Sequence, residues 1–243
     1  MTTEGKPFIL IPAKAESVRL KNKNMLPLGR KPLVEHAVDR AVWSGLAPGG
    51  VYLSTESHWI IDYFLERPTP VEINIIVRPE GLSAPHVRAV EVVLHSIEMV
   101  GKYYDSFVMT LPTSPFCEPA DIQVAYELFL RCGRKPVMSM TRTYANPNTI
   151  MRAGEAGELS PYTEPIGYFP DWNREWVESG TKLDRYVSNG AVYVCDIEMF
   201  KEQEEFYIEG MVGYEMPASR GINIDTELDY ILALALWERS GKV

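Results

Sequence analysis

Six cations, Lys14, Arg19, Lys21, Lys23, Arg30 and Lys31, fall in one short segment, Lys14–Lys31, that holds a single acid, Glu16. Random placement of the chain's 24 Lys and Arg over 243 residues would put roughly two there. So many like charges repel one another unless an anion joins them. The segment follows directly on the apolar run PFILIP, Pro7–Pro12. A strand that empties into a cationic loop and then a helix is the layout of a phosphate site in an α/β protein. The alternative is a solvated basic surface. The loop reads IPAKAESVRLKNKN and matches neither GxxxxGK(S/T) nor GxGxxG, which argues against ordinary kinases and NAD enzymes.

Three further segments carry chemistry. GINIDTELDY, Gly221–Tyr230, places Asn223, Asp225, Glu227 and Asp229 at alternate positions. Asp225 with Asn223 could offer oxygens to a hard cation such as Mg2+. Equally, Asp225 or Thr226 could be only a helix N-cap, with Glu227 supporting the first turn. Set beside the cationic loop, the acid suggests Mg2+ on a polyphosphate. In LPTSPFCEPADI, prolines stiffen a strand-to-helix turn, and Thr113 and Ser114 present hydroxyls at its edge. An ordinary rigid turn explains the same residues. In SNGAVYV, Asn189-Gly190 is a tight-turn signal. Arg78-Pro79 could reach a base or a phosphate, or simply cap a sheet edge.

The elements that must position these residues alternate along the chain. Strands are expected at Phe8–Ile11, Val51–Ser54, Ile73–Val77, Ser106–Leu111 and Val137–Met140. Helices are expected at Pro32–Trp43, His58–Leu65, Val87–Met99 and Pro119–Leu130. This order specifies an α/β fold with a doubly wound, mostly parallel sheet. It breaks after Thr141. Residues 142–186 lack strong periodicity and concentrate Tyr162, Tyr168, Phe169, Trp172 and Trp176, which suggests an inserted lobe serving as a lid or a subunit contact. The α/β pattern resumes at Ala191–Cys195 and ends with a helix at Glu227–Trp237.

Bulk composition narrows the class. A net charge of −9 argues against a general nucleic-acid binder but leaves room for a small anion held by a local field. Cys117, Cys132 and Cys195 are odd in number and far apart, as buried thiols in a reducing compartment would be. The histidines show no metal spacing. The polar start MTTEGKP and the absence of a long apolar run point to a cytoplasmic protein with no membrane segment.

Taken in order, IPAKAESVRLKNKN, RPEGLS, LPTSPF followed by DI, NGAVYV and INIDTELDY resemble the acylneuraminate cytidylyltransferase family over nearly the whole chain. These are the CMP–sialic acid synthetases and their relatives for pseudaminic, legionaminic and similar acids. The resemblance implies one domain over 1–243 of the nucleotide-diphospho-sugar transferase type, with 142–186 an inserted dimerisation lobe. It implies a homodimer that transfers CMP from CTP to a sialic-acid-like sugar acid and releases pyrophosphate. Lys14 and Lys23 would lie along the triphosphate, with Ser17, Arg19 and Asn24 in the same loop. Arg78 and Ser83 would approach the nucleotide. Thr113, Ser114 and Pro115 would lie between nucleotide and sugar, and Asn189 and Gly190 near the sugar acid. Asp225, with Asn223 beside it, would hold Mg2+.

The chain departs from the family pattern at several of these positions. Lys14 stands where an arginine is usual, and the two are not interchangeable at phosphate. Ala15 and Glu16 stand where glycines are frequent. Leu111 replaces a glutamine, and Ala84, Pro85 and His86 replace small polar residues at the expected base pocket. Asn223 replaces an aspartate, and Val187 an arginine. Two rival readings follow: the same scaffold with another nucleotide or a non-sialic acceptor, or a catalytically weak nucleotide-binding protein.

Overall fold

The computed structural model describes residues 7–241 apart from 16, 18, 68, 85, 102, 144–150, 154–158 and 162–184. The expected aromatic cluster, Tyr162, Tyr168, Phe169, Trp172 and Trp176, lies outside the described residues, as does Pro85. The chain divides into two compact units, Met1–Thr141 with Ser188–Val243, and Arg142–Val187.

In chain order the strands are β1 (Pro7–Pro12), β2 (Pro27–Leu28), β3 (Lys31–Pro32), β4 (Val51–Thr55), β5 (Ile73–Val77), β6 (Ser106–Thr110), β7 (Val137–Arg142), β8 (Met151–Ala153), β9 (Leu159–Pro161), β10 (Tyr186–Asp196) and β11 (Val212–Glu215). The helices are α1 (Leu33–Trp43), α2 (His58–Leu65), α3 (Ala89–Val100), α4 (Pro119–Arg131), α5 (Ile197–Gln203) and α6 (Glu227–Arg239). The main sheet runs β11-β7-β10-β6-β1-β4-β5. β1 is parallel to β4 and β6, and β4 to β5, whereas β10 runs antiparallel to β6 with Val192 opposite Thr110. In the second unit, β8 and β9 pair antiparallel.

The pleat of β1 explains the two-sided core. Alternate residues point to opposite faces. Ile9 and Ile11 pack with Val34, Ala37 and Ala41 of α1 and Ile122, Ala125 and Phe129 of α4. Phe8 and Leu10 pack with Val90, Val93 and Ile97 of α3 and Phe200 of α5. With both faces covered, β1 reads as one continuous apolar run. Because β1, β4, β5 and β6 share a direction, the loops leaving their C-terminal ends gather on one sheet edge. A third cluster, Leu28, Leu33, Ile224 and Ala233 with Trp237 against it, docks α6 on the β2–β3 hairpin. Gly29 turns that hairpin at φ +62°, where a Cβ would come 2.6 Å from the Trp237 indole nitrogen.

One local expectation is corrected. Asn189-Gly190 does not end a strand but lies inside the 11-residue β10. Gly190 keeps a φ of +69°, yet the chain runs on because Ser139 and Thr141 hold the Asn189 side chain. Among the described residues, no helix is long and apolar enough to cross a membrane. All three cysteines are free thiols, with Cys117 and Cys195 buried.

Candidate active site

The loop leaving β1 is fixed from beneath. Buried Asn24 donates its amide to the Lys14 carbonyl at 2.8 Å, which folds the cationic segment back on itself. Asn22, at a φ of 52°, turns the chain into a short 3-10 segment, Lys23–Met25. Asparagine tolerates that left-handed conformation better than most residues. The turn sends the Lys23 side chain inward, and 13% of it remains exposed.

The acidic side arrives from the other end of the chain. The Ile224 amide donates to the Thr113 carbonyl at 2.7 Å, which carries Asn223–Asp225 to the sheet edge beside the β6 turn. Thr226 caps α6, its hydroxyl accepting from the Asp229 amide, while an Asp229 carboxylate oxygen accepts from the Thr226 amide at 2.7 Å. Burial alone would raise the Asp229 carboxyl. Hydrogen bonds from the Thr226 side chain and from the amides of Thr226 and Asp225 outweigh burial and hold it below the usual carboxylate range. Capping thus falls to Thr226 and Asp229, not to Asp225 or Glu227. The Asp225 carboxylate is left free to face Lys23 at 2.8 Å and Arg19 at 3.5 Å.

These groups border one cleft of about 400 Å3, lined by Pro12, Lys14, Ser17, Lys23, Asn24, Arg78, Leu82, Ser83, Ala84, Val87, Ala89, Val92, Leu111, Pro112, Thr113, Asn223 and Asp225. The lining is chemically uneven. Lys14, Lys23, Asn223 and Asp225 are charged or carry amides, while Leu82, Ala84, Val87, Ala89, Val92 and Leu111 are apolar. Arg78 is buried, donating to the Ser54 carbonyl at 2.7 Å and standing 3.8 Å from Glu56. Burial lowers its pKa and the Glu56 charge opposes this. Glu56 also accepts from the Ala15 amide at 2.7 Å, so it joins the β1 loop to the Arg78 corner. The Ser83 hydroxyl is buried without a hydrogen-bond partner among the described residues.

Divalent-metal chemistry fits the residues present. Asn223 donates its amide nitrogen to Asp225 at 2.9 Å, and its carbonyl oxygen is buried without a donor among the described residues. That oxygen and the Asp225 carboxylate form a hard-oxygen pair, and no larger group of His, Cys, Asp or Glu able to hold a metal occurs among the described residues. Mg2+ is usually held this way, by one or two protein oxygens with phosphate and water completing the shell.

The structure separates the sequence-derived candidates. Lys14, Ser17, Lys23, Asn24, Arg78, Ser83, Thr113, Asn223 and Asp225 line the cleft, and Arg19 reaches it through Asp225. Ser114, Pro115, Asn189 and Gly190 do not line it. Ser114 is fully buried. The Asn189 amide is consumed internally: its oxygen accepts from the Ser139 hydroxyl at 2.6 Å and the Ala191 amide at 3.1 Å, and its nitrogen donates to the Thr141 hydroxyl at 2.9 Å. As placed, Asn189 is a strut between strands. His86 is exposed and outside the lining. Sequence reasoning missed Glu56 and the apolar wall from α3, whose only signal is the apolar face of that helix.

Comparison with known proteins gives the same direction. The sequence profile of the family described as Cytidylyltransferase matches residues 8–154. An N-acylneuraminate cytidylyltransferase of Streptococcus agalactiae is 25% identical over 93% of this chain and 52% of its own length, so the chain spans about half of that relative. A CMP-N,N'-diacetyllegionaminic acid synthase of Legionella pneumophila is 27% identical, covering 94% of this chain and 95% of its own. Among solved structures, a CMP:2-keto-3-deoxy-manno-octonic acid synthetase complexed with CTP superposes with a TM-score of 0.67 at 15% identity, over 97% of this chain and 100% of that one. At that identity the likeness establishes the fold.

Proposed function

This chain belongs to the cytidylyltransferase family, and we propose that it transfers CMP from CTP to a sialic-acid-like sugar acid with release of pyrophosphate. One observation carries the reading. Lys23 and Asp225, 202 positions apart in sequence, meet at 2.8 Å on a single cleft that Lys14, Asn24, Arg78 and Thr113 also line. The chemistry of such a transfer is mostly positioning and charge neutralisation.

In the proposed reaction an acceptor hydroxyl oxygen of the sugar acid attacks the α-phosphorus of CTP. The bond from that phosphorus to the bridging oxygen breaks, pyrophosphate leaves, and the hydroxyl proton passes to solvent. Lys14 and Lys23 bind the phosphates and offset their charge. Asn24 holds the loop that presents Lys14. Leu82, Ala84, Val87 and Val92 cover the base, with the Ser83 hydroxyl to orient it. Asp225 and the Asn223 carbonyl oxygen would hold Mg2+, which when bound adds charge neutralisation at the phosphates.

A second reading keeps the scaffold and changes the nucleotide. It is favoured by the apolar end of the cleft, where Leu111 stands and the Ser83 hydroxyl has no partner among the described residues. Pyrophosphate release measured across the four nucleoside triphosphates, each against a panel of sugar acids, separates the two. Turnover with CTP and a nonulosonic acid supports the first. Turnover with another pair supports the second. Tight nucleotide binding without turnover refutes both and leaves a binding protein. We further propose that the enzyme is cytoplasmic and a homodimer built on residues 142–186, a reading supported by the clustered aromatics in that segment and by three free thiols.

A further inference from the structure

Arg40 stands apart from the cleft lining, yet it is the wrong residue for its place by composition alone. It sits on the apolar face of α1, in step with Leu33, Ala37 and Ala41, and is 3% exposed. Among the described residues no carboxylate pairs with it. Asp121, which acts on it through space, instead accepts from Arg220 at 2.9 Å, from the Tyr214 hydroxyl at 2.7 Å, and from the Glu118 amide. Removing a cation from water without a partner charge is costly. A residue that served only to pack α1 on the sheet would be aliphatic, as its neighbours on that face are.

The guanidinium makes its hydrogen bonds to two consecutive residues at the end of β6, and its other terminal nitrogen, Nη1, is buried without a partner among the described residues. Its Nε donates to the Thr110 hydroxyl at 2.8 Å, and one Nη donates to the Leu111 carbonyl. The Thr110 hydroxyl in turn donates to the Ala191 carbonyl on β10 at 2.8 Å. Arg40 therefore clamps the point where β6 becomes the turn Leu111–Thr113, and Leu111, Pro112 and Thr113 all line the cleft. The clearance behind that turn is small. A Cβ added at Gly190 would lie 3.2 Å from a Leu111 methyl.

We propose that Arg40 is a positioning residue for the transfer reaction: through Thr110 and the Leu111 carbonyl it sets the depth and orientation of the Leu111–Thr113 wall of the cleft. The inference rests on the cytidylyltransferase reading above. A planar fork addresses two acceptors at a fixed angle, which an ammonium cannot do.

The test compares Arg40→Lys, Arg40→Met and Thr110→Val with wild type, reading kcat and KM for the triphosphate, thermal melting, and hydrogen exchange of two amides. Those amides are Ser114, bonded to the Leu111 carbonyl, and Ile224, bonded to the Thr113 carbonyl. Misplacing a cleft wall by an ångström costs on the order of 100-fold in rate. The expected result is a loss of about that size in kcat for both Arg40 variants, with KM within about two-fold of wild type. Exchange at Ser114 and Ile224 should quicken, and Thr110→Val should add little to the loss already present in Arg40→Lys. Wild-type kcat in Arg40→Lys would overturn the proposal, since charge alone would then suffice. So would a parallel fall of kcat, KM quality and melting temperature, or unchanged exchange at both amides. Failure of the wild-type protein to turn over any substrate pair is a different outcome, seen before a variant is made. It refutes the functional reading and takes this proposal with it.

Discussion

Lys23→Ala isolates the contribution of the cationic turn. In the free protein the Lys23 ammonium lies 2.8 Å from an Asp225 oxygen, and that carboxylate also faces Arg19 at 3.5 Å and the Asn223 amide at 2.9 Å. The Asp225 side chain is 34% exposed, so water and Arg19 replace the lost partner. An ion pair of that exposure contributes about 1 kcal/mol or less to stability. For a chain of this size that is roughly 2–4 °C in melting temperature. The bound state differs. A charge-assisted hydrogen bond to phosphate is worth about 1.5–3 kcal/mol, which is roughly 10- to 150-fold in kcat/KM for the triphosphate. The assay is pyrophosphate release against CTP concentration, with a thermal melt on the same sample. A kcat/KM within two-fold of wild type would refute the reasoning. A melting point lowered by more than about 10 °C would refute it differently, by showing that Lys23 holds the fold and only incidentally the ligand.

Asn223→Asp should make stability depend on metal. Without Mg2+ the new carboxylate loses the 2.9 Å hydrogen bond to Asp225 and gains a like charge beside it, so melting should fall by several degrees. Added Mg2+ should restore it, with a larger shift than in wild type; equal Mg2+ shifts in the two proteins would remove Asn223 from the metal site. The homodimer is checked by light scattering at micromolar concentration, where twice the 27.5 kDa chain mass is expected and a monomer would refute the assembly.

Much of the frame was legible because the physics involved is local. Short apolar runs closed by Pro, Gly or Asn mark buried parallel strands, and the expected helix His58–Leu65 and strand Ile73–Val77 match the observed bounds. The elements that sequence reasoning left out have weak local signals. β2 and β3 are two residues each and exist because Gly29 tucks under Trp237 of α6. β11, the four-residue VGYE, pairs parallel with β7, a partner the local pattern cannot name. α5 is seven residues long and starts at an Asp196 cap.

Side-chain roles divide along the same line, and Asn189 shows why. Its residue type and its place beside Gly190 suit a ligand-binding amide as well as a turn. What differs is the supply of nearby partners: Ser139 and Thr141, some fifty positions away, with the Ala191 amide and the Met216 sulfur, engage both ends of the amide. Asn223 has the opposite history. It is the same residue type, but only its nitrogen is taken, by Asp225, and its oxygen is left buried and unpaired among the described residues. A buried acceptor without a donor is costly unless something joins it, so the structure marks Asn223 as unfinished and Asn189 as complete. Arg40 extends the contrast to charge. In the sequence it is one cation among 24 Lys and Arg. Only its burial against Thr110 and the Leu111 carbonyl sets it apart from the surface. The sequence names residue types able to do chemistry; which of them still have unused hydrogen-bonding capacity is a property of long-range contacts, and at Asn223 that capacity belongs to a residue of the cleft lining.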